Sequence, residues 1–245
     1  MKNIFLSIIF LMILTNLKAQ KVYAWMDAGV KVGYGLTGMV NSNLFDDKLY
    51  EHHLTTGAGI GAKLGLYIGL YNGITVDFML SNSKQKFDFL RDAKTYYHTI
   101  KWKTYDLAVL YRNQKNGVYV ELGPQFSFVN KVTQQDDYNP QLTDVKKYYA
   151  KNYISGIFGV GGYLLNYENF TTMLGIRLGY GFTDMISDEG KNFTPNAFPN
   201  PSSAKHYDSY KKTNPAFVQL NMEFNFALGY YGRSSCSKRA TLFSF

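Results

Sequence analysis

Apolar and polar residues alternate with period two over most of the chain, the signature of half-buried β-strands. From Trp25 to Val40 the even positions carry Met26, Val30, Val32, Tyr34 and Leu36, while the odd ones carry Asp27, Gly29, Lys31, Gly33 and Gly35. The same two rows recur at 56–70, 74–83, 118–129, 153–165, 170–183 and 216–230. In the last of these, Val218, Leu220, Met222, Phe224, Phe226 and Leu228 oppose Gln219, Asn221, Glu223 and Asn225. One further stretch, 99–112, changes parity midway: Ile100 and Trp102 give way to Tyr105, Leu107, Val109 and Tyr111 as the apolar row. A β-bulge in this stretch would produce such a shift. The count is eight strands.

Their connections alternate in length. Tyr71–Gly73, Asn113–Gly117 and Asn166–Asn169 are short, and Asn-Gly pairs in the first two are hairpin-turn signals. Asn41–Leu54, Lys86–His98, Asn130–Ala150 and Asp184–Asn214 are long. An even strand number with short turns at one end and long loops at the other predicts an all-β fold, an eight-stranded antiparallel up-and-down transmembrane barrel with short periplasmic turns and long extracellular loops. Two arguments separate it from a soluble sheet protein. Its strands exceed the ~5–6 residues usual in globular sheets. The interior of an eight-stranded barrel is also too narrow to hold eight rows of Leu, Ile, Val and Phe, so those rows must face lipid.

The inner row suits a tight lumen. Most of the 22 Gly sit on it, leaving room for Asp27, Lys31, Lys63, Asp77, Asp106, Glu121, Arg177 and Glu223. Three cations against five anions, shut off from bulk water, should pair as a structural network. Pro124 on the apolar row removes a ladder hydrogen bond, so a bulge or register defect is expected there. Trp25, Tyr71, Tyr111, Phe170 and Tyr230 collect near the expected periplasmic interface, as in an aromatic girdle.

Composition narrows the class further. Lys2, the apolar run Ile4–Leu14 and Ala19 read as a leader, 1–19, cleaved after Ala19. The barrel would then span 20–231 and a short basic periplasmic tail 232–245. Past the leader no apolar run approaches the ~18–20 residues of a transmembrane helix. The single Cys236 makes neither a disulfide nor a cysteine-based zinc site. The net charge of +8, spread over loops and tail, suits lipid A phosphates on an exported chain better than nucleic acid.

Signal peptide, eight strands, a lumen row of Gly and charges, and Asn-Gly turns together resemble the small outer-membrane β-barrel family of Bacteroidota, the PorT-like barrels, similar in architecture to OmpX and OmpA. The resemblance covers the whole mature chain as a pattern. It implies the fold and a cell outer-membrane location, and no particular activity. A departure is that 14 residues, Gly232–Phe245, follow the last strand.

Candidate chemistry is sparse. His52, His53, His98 and His206 all fall in the expected loops, and Asp188, Ser202, Ser203, His206 and Asp208 share the last one without a recognisable motif. Nucleophilic catalysis needs a base held against its nucleophile by a rigid scaffold, so no catalytic residue is assigned and no enzyme is expected. Glu51, His52 and His53 with Asp46 and Asp47 could suggest a metal, but adjacent histidines in an extended chain point apart; no metal and no cofactor are assigned. The expected partners are outer-membrane lipid and lipopolysaccharide, with a protein complex as a further one. The reading is a structural or partner-binding surface protein, contacting through Phe193, Phe198, Tyr207 and Tyr210 of the last loop. Its rivals are an accessory subunit of an export or assembly complex and a lipid-modifying enzyme.

Overall fold

The computed structural model describes residues 23–48, 50–69, 71–91, 94–137, 140–167, 169–193 and 209–232; the leader 1–19 and tail residues 233–245 lie outside them. Ten strands follow in order: β1 (Tyr23–Val40), β2 (Tyr50–His53), β3 (Thr55–Ile68), β4 (Asn72–Arg91), β5 (Lys94–Lys115), β6 (Val118–Asp136), β7 (Thr143–Asp144), β8 (Asn152–Tyr167), β9 (Phe170–Gly181) and β10 (Asn214–Gly232). Two short helices, α1 (Ser42–Phe45) and α2 (Asp188–Phe193), sit in extracellular connections. Eight strands form the ring: β1, β3, β4, β5, β6, β8, β9 and β10, each antiparallel to its neighbours, with β1 on β10 closing it. The short β2 and β7 add to β4 and β6 above it.

Directly paired residues lead once round the ring from Ala24 through Ile68, Asn72, Asn113, Val120, Val160, Ile176 and Leu220 to Tyr34. The stagger is therefore ten residues, Ala24 to Tyr34. Closing eight strands with such a stagger tilts them by ~40° and leaves a lumen only as wide as the side chains filling it. The apolar rows face outward. Leu64, Ile74, Phe78, Leu122, Ile176 and Leu220 are all exposed on the outer wall, while Lys31, Lys63, Asp77, Arg112 and Glu223 are fully buried inside. A closed ring with an apolar outer belt satisfies every ladder within itself, as a spanning structure must. It is an outer-membrane barrel.

Several expectations are corrected. Strand β5 carries no parity change, because Ile100, Trp102, Thr104, Asp106, Ala108, Leu110 and Arg112 all face inward. What changes is the chemistry of the interior: mainly charged and small within the membrane, apart from the small Ala108, Leu110 and Ile157 cluster, and mainly apolar above it, where water instead of lipid bathes the outer face. The bulge lies on the partner strand. Lys103 pairs with Lys131 and Thr104 with Val129, so Asn130 is the extra residue of β6. Residues 86–98 are not a loop. Strands β4 and β5 stay paired from Asn72–Asn113 up to Arg91–Lys94, and the hairpin stands above the membrane. The inward row turns apolar there, with Phe87 buried, while Lys86 and Asp88 stand on the outward row, so the two rows seen lower in the strand look exchanged.

Pro124 breaks the ladder without shifting it. Pairing of β5 with β6 stops between Ala108–Gln125 and Tyr111–Leu122 and resumes in the same register. Only the second Asn-Gly expectation holds for a turn, since Asn116 and Gly117 both have positive φ (54° and 81°), the type I′ geometry. Asn72 and Gly73 instead open β4, and the preceding turn uses Gly69 at φ 73°. Trp25 leaves the girdle: on the inward row it stacks on buried Tyr67, with ring centroids 3.8 Å apart, at the periplasmic mouth.

Candidate functional site

Inside the membrane section, seven of the eight ring strands send charges to one network. Lys31 Nζ lies 2.5 Å from Asp77 Oδ2 and 2.7 Å from Glu223 Oε1. Arg177 bridges Asp77 (2.8 Å) and Glu121 (2.5 Å), and Arg112 bridges Glu121 (2.6 Å) and Glu223 (2.7 Å). These contacts close a cycle: Glu223, Lys31, Asp77, Arg177, Glu121, Arg112 and back to Glu223. Lys63 joins from the side, 3.0 Å from Asp27 and 3.4 Å from Glu223. Strand β8 contributes space instead of charge, since a Cβ on Gly159 would stand 2.7 Å from the Glu121 carboxylate.

Of the eight lumen charges expected from sequence, seven meet here. Asp106 does not; it faces the hydroxyls of Ser81, Ser127 and Thr104, higher in the barrel. Arg112 was missed, although it occupies the inward row of β5 and its signal was simply that parity. With Arg112 counted and Asp106 set apart, four cations face four anions. That balance removes the apparent anionic excess of the lumen, and the bidentate Arg112–Glu223 contact fixes the central pair.

Above this layer the interior turns apolar. Met39, Leu44, Tyr50, Phe87, Ile100, Trp102, Val129 and Val132 form one buried cluster, joined by Val145 and Tyr149 from the β6–β8 connection and Met185 and Ile186 from the β9–β10 connection. The extracellular connections are thus tied down onto the wall. Ala150 N donates to Met185 O (2.9 Å), Ser187 N to Tyr148 O (3.0 Å), and Tyr149 bridges to Ile186. The result is a cap on the lumen.

The last loop is split by this packing. Tyr210 is half-buried against the apolar cluster, its hydroxyl donating to Asp184 Oδ2 at 2.6 Å; burial and that carboxylate push its phenol well up. It anchors the loop's return and is not a freely presented contact. Phe193 ends α2, whereas Phe198 and Tyr207 lie outside the described residues.

The histidines separate as neighbouring strand positions must. His52 turns toward the cap, stacked on Phe45 (4.3 Å) and edge-on to Phe87 (5.0 Å), and burial pushes its imidazole below the ordinary value. His53 turns outward, with Nε2 2.7 Å from Asp88 Oδ2. Glu51, His53 and Asp88 bring ligand atoms within 4.8 Å of one another. Among the described residues these are the donors that could hold a divalent cation, and they differ from the set adjacency suggested, with Asp88 of β4 in place of Asp46, Asp47 and His52. Lys86, 3.8 Å from Asp88, opposes that use. His98 is buried and paired with Asp136. Asp188 lies exposed on α2 beside Lys191 (3.3 Å), and Ser202, Ser203, His206 and Asp208 lie outside the described residues.

No protein-family model and no curated protein match the chain. Solved structures do. Ail of Yersinia pestis, in complex with the heparin analogue sucrose octasulfate, is 12% identical over 82% of this chain and 99% of its own, with a TM-score of 0.39. OprG of Pseudomonas aeruginosa is 10% identical over 84% and 96%, at 0.36. The outer membrane protease OmpT of Escherichia coli is 10% identical over 85% and 97%, also at 0.36. This last match corrects the expectation that the chain is not an enzyme.

Proposed function

We propose that the protein works from its extracellular face, as an outer-membrane barrel of the PorT-like kind found in Bacteroidota that presents its long loops to a partner. Leader 1–19 would direct export, the lumen network would serve stability alone, and Phe193, Phe198 and Tyr207 would supply aromatic contact, with Tyr210 as the anchor. One observation carries this reading. The cap ties two long connections to the wall through Val145, Tyr149, Met185 and Ile186, and loops held on a rigid scaffold lose little entropy on binding. A lumen filled by paired charges and closed by the cap also turns attention to surfaces and away from passage.

The test is removal of residues 194–208, joined by a short Gly-Ser turn, followed by detergent extraction and identification of co-purifying proteins. The expected outcome is a normally folded barrel that has lost its partner. An unchanged partner set would move the contact off this loop. A defined, stoichiometric complex in the native sample would favour the rival reading, an accessory subunit of an export or assembly complex.

A further inference from the structure

Four lysines crowd one patch of the outer wall. Lys84 of β4 is paired directly opposite Lys101 of β5, and Lys103 of β5 directly opposite Lys131 of β6. Directly opposed side chains leave a strand pair on the same face with Cβ atoms ~5 Å apart, and like charges so placed destabilise the pair. None of the four makes an ion pair with a carboxylate among the described residues. They line an open cleft of about 600 Å³, which also takes in Tyr34, Ala58, Leu142 and the carboxylate-bearing Asp144.

The height of the patch is as telling as its charge. Below the lysines on the outward rows, past Asn82 on β4 and the bulge residue Asn130 on β6, stand Leu80, Tyr105 and Phe128, the top of the lipid-facing belt, all well exposed. The ammonium groups therefore lie at the level of the outer-leaflet headgroups, with apolar wall beneath them for acyl chains. An anion bound among them would relieve the repulsion built into the two adjacent ladders.

We propose that Lys84, Lys101, Lys103 and Lys131 form a binding site for the phosphate groups of an outer-leaflet glycolipid, lipid A. The site belongs to the wall and not to the loops, so it stands or falls separately from the partner reading above. A free phosphate ion would satisfy the same charges, but it would make no use of the apolar wall under them.

The full chain is folded into phosphatidylcholine vesicles containing bis-phosphorylated lipid A, the same glycolipid stripped of its phosphates, or inorganic phosphate alone. Two quantities are read: lipid A retained after mild detergent extraction, by native mass spectrometry, and the temperature at which the barrel loses its compact form. Phosphorylated lipid A should raise that temperature, as any ligand of the folded state does, and retention should fall with added salt. The double variant Lys101→Gln, Lys103→Gln should retain on the order of tenfold less lipid A and lose the temperature shift. Without lipid A, at low salt, it should be at least as heat-resistant as the native protein, because the repulsion is gone. Lys146→Gln, Lys147→Gln removes the same charge from an extracellular connection off the wall and should behave as native. The proposal is overturned by equal retention in the two double variants, by an equal shift with the phosphate-free glycolipid, or by inorganic phosphate alone reproducing the full shift.

Discussion

Arg112 shows what a single side chain does in a closed lumen. It touches two carboxylates, Glu121 and Glu223, and lies over the Tyr119 ring at 4.2 Å. Replacing it with Met leaves both acids short of a partner where water cannot reach, a loss of about 3–5 kcal/mol. Urea unfolding in vesicles should register it. Asp106→Asn should cost less than ~1 kcal/mol by the same measurement, because Asp106 faces hydroxyls and no cation. A residue-scale prediction of another kind concerns His52. Its imidazole, buried between Phe45 and Phe87 and only partly offset by the Leu44 backbone, binds a proton less readily than in the unfolded chain. Its contribution is therefore intact above the ordinary value of 6.5 and is lost as the pH falls below it. Amide exchange in β2 should speed up between neutral pH and about 5, and His52→Phe should remove that His52-dependent part.

At the scale of the strand, one ladder serves two solvents. In the membrane section outward side chains meet lipid, so Leu220→Arg should cost ~2–4 kcal/mol. Its neighbour Asn221 points inward against Gly33, whose added Cβ would come within 2.7 Å of the amide. An arginine there has no room, so Asn221→Arg should also impair folding, while Asn221→Ala should be tolerated; yields of heat-modifiable barrel rank the three. Above the membrane the sides exchange roles. Phe87 is fully buried in the cap, and Phe87→Ala should open a cavity worth ~3–5 kcal/mol. That loss should be local, with proteolysis of the extracellular connections accelerated and the spanning wall unaffected.

For the whole molecule the governing fact is closure. With β1 hydrogen-bonded to β10 from Tyr23–Gly232 to Val40–Asn214, no ring strand is left with an open edge, and no single strand can leave without breaking two ladders. The folded protein should therefore resist SDS until heated and migrate differently before and after boiling. Identical migration would contradict the ring. The ion cycle reinforces closure, because Glu223 on the last strand is held by Lys31 on the first and by Arg112 across the lumen.

Period two by itself determined the strand number, the lipid-facing rows and the inward position of seven network charges, since residue parity in a strand decides which face a side chain takes. It could equally have delivered Arg112, which obeys the same parity. Tertiary structure decided what parity cannot express. The exchange of solvents at the membrane surface made a continuous strand look shifted at Thr104 and made the Lys86–His98 hairpin look like a loop, because a fixed inward row changes from polar to apolar when water replaces lipid outside. Which lumen charges meet depends on the ten-residue stagger of the ring, which brings Lys31 to Asp77 and Glu223 and leaves Asp106 among hydroxyls. The facing lysine pairs arise likewise, because only the register of β4, β5 and β6 sets Lys84 against Lys101 and Lys103 against Lys131.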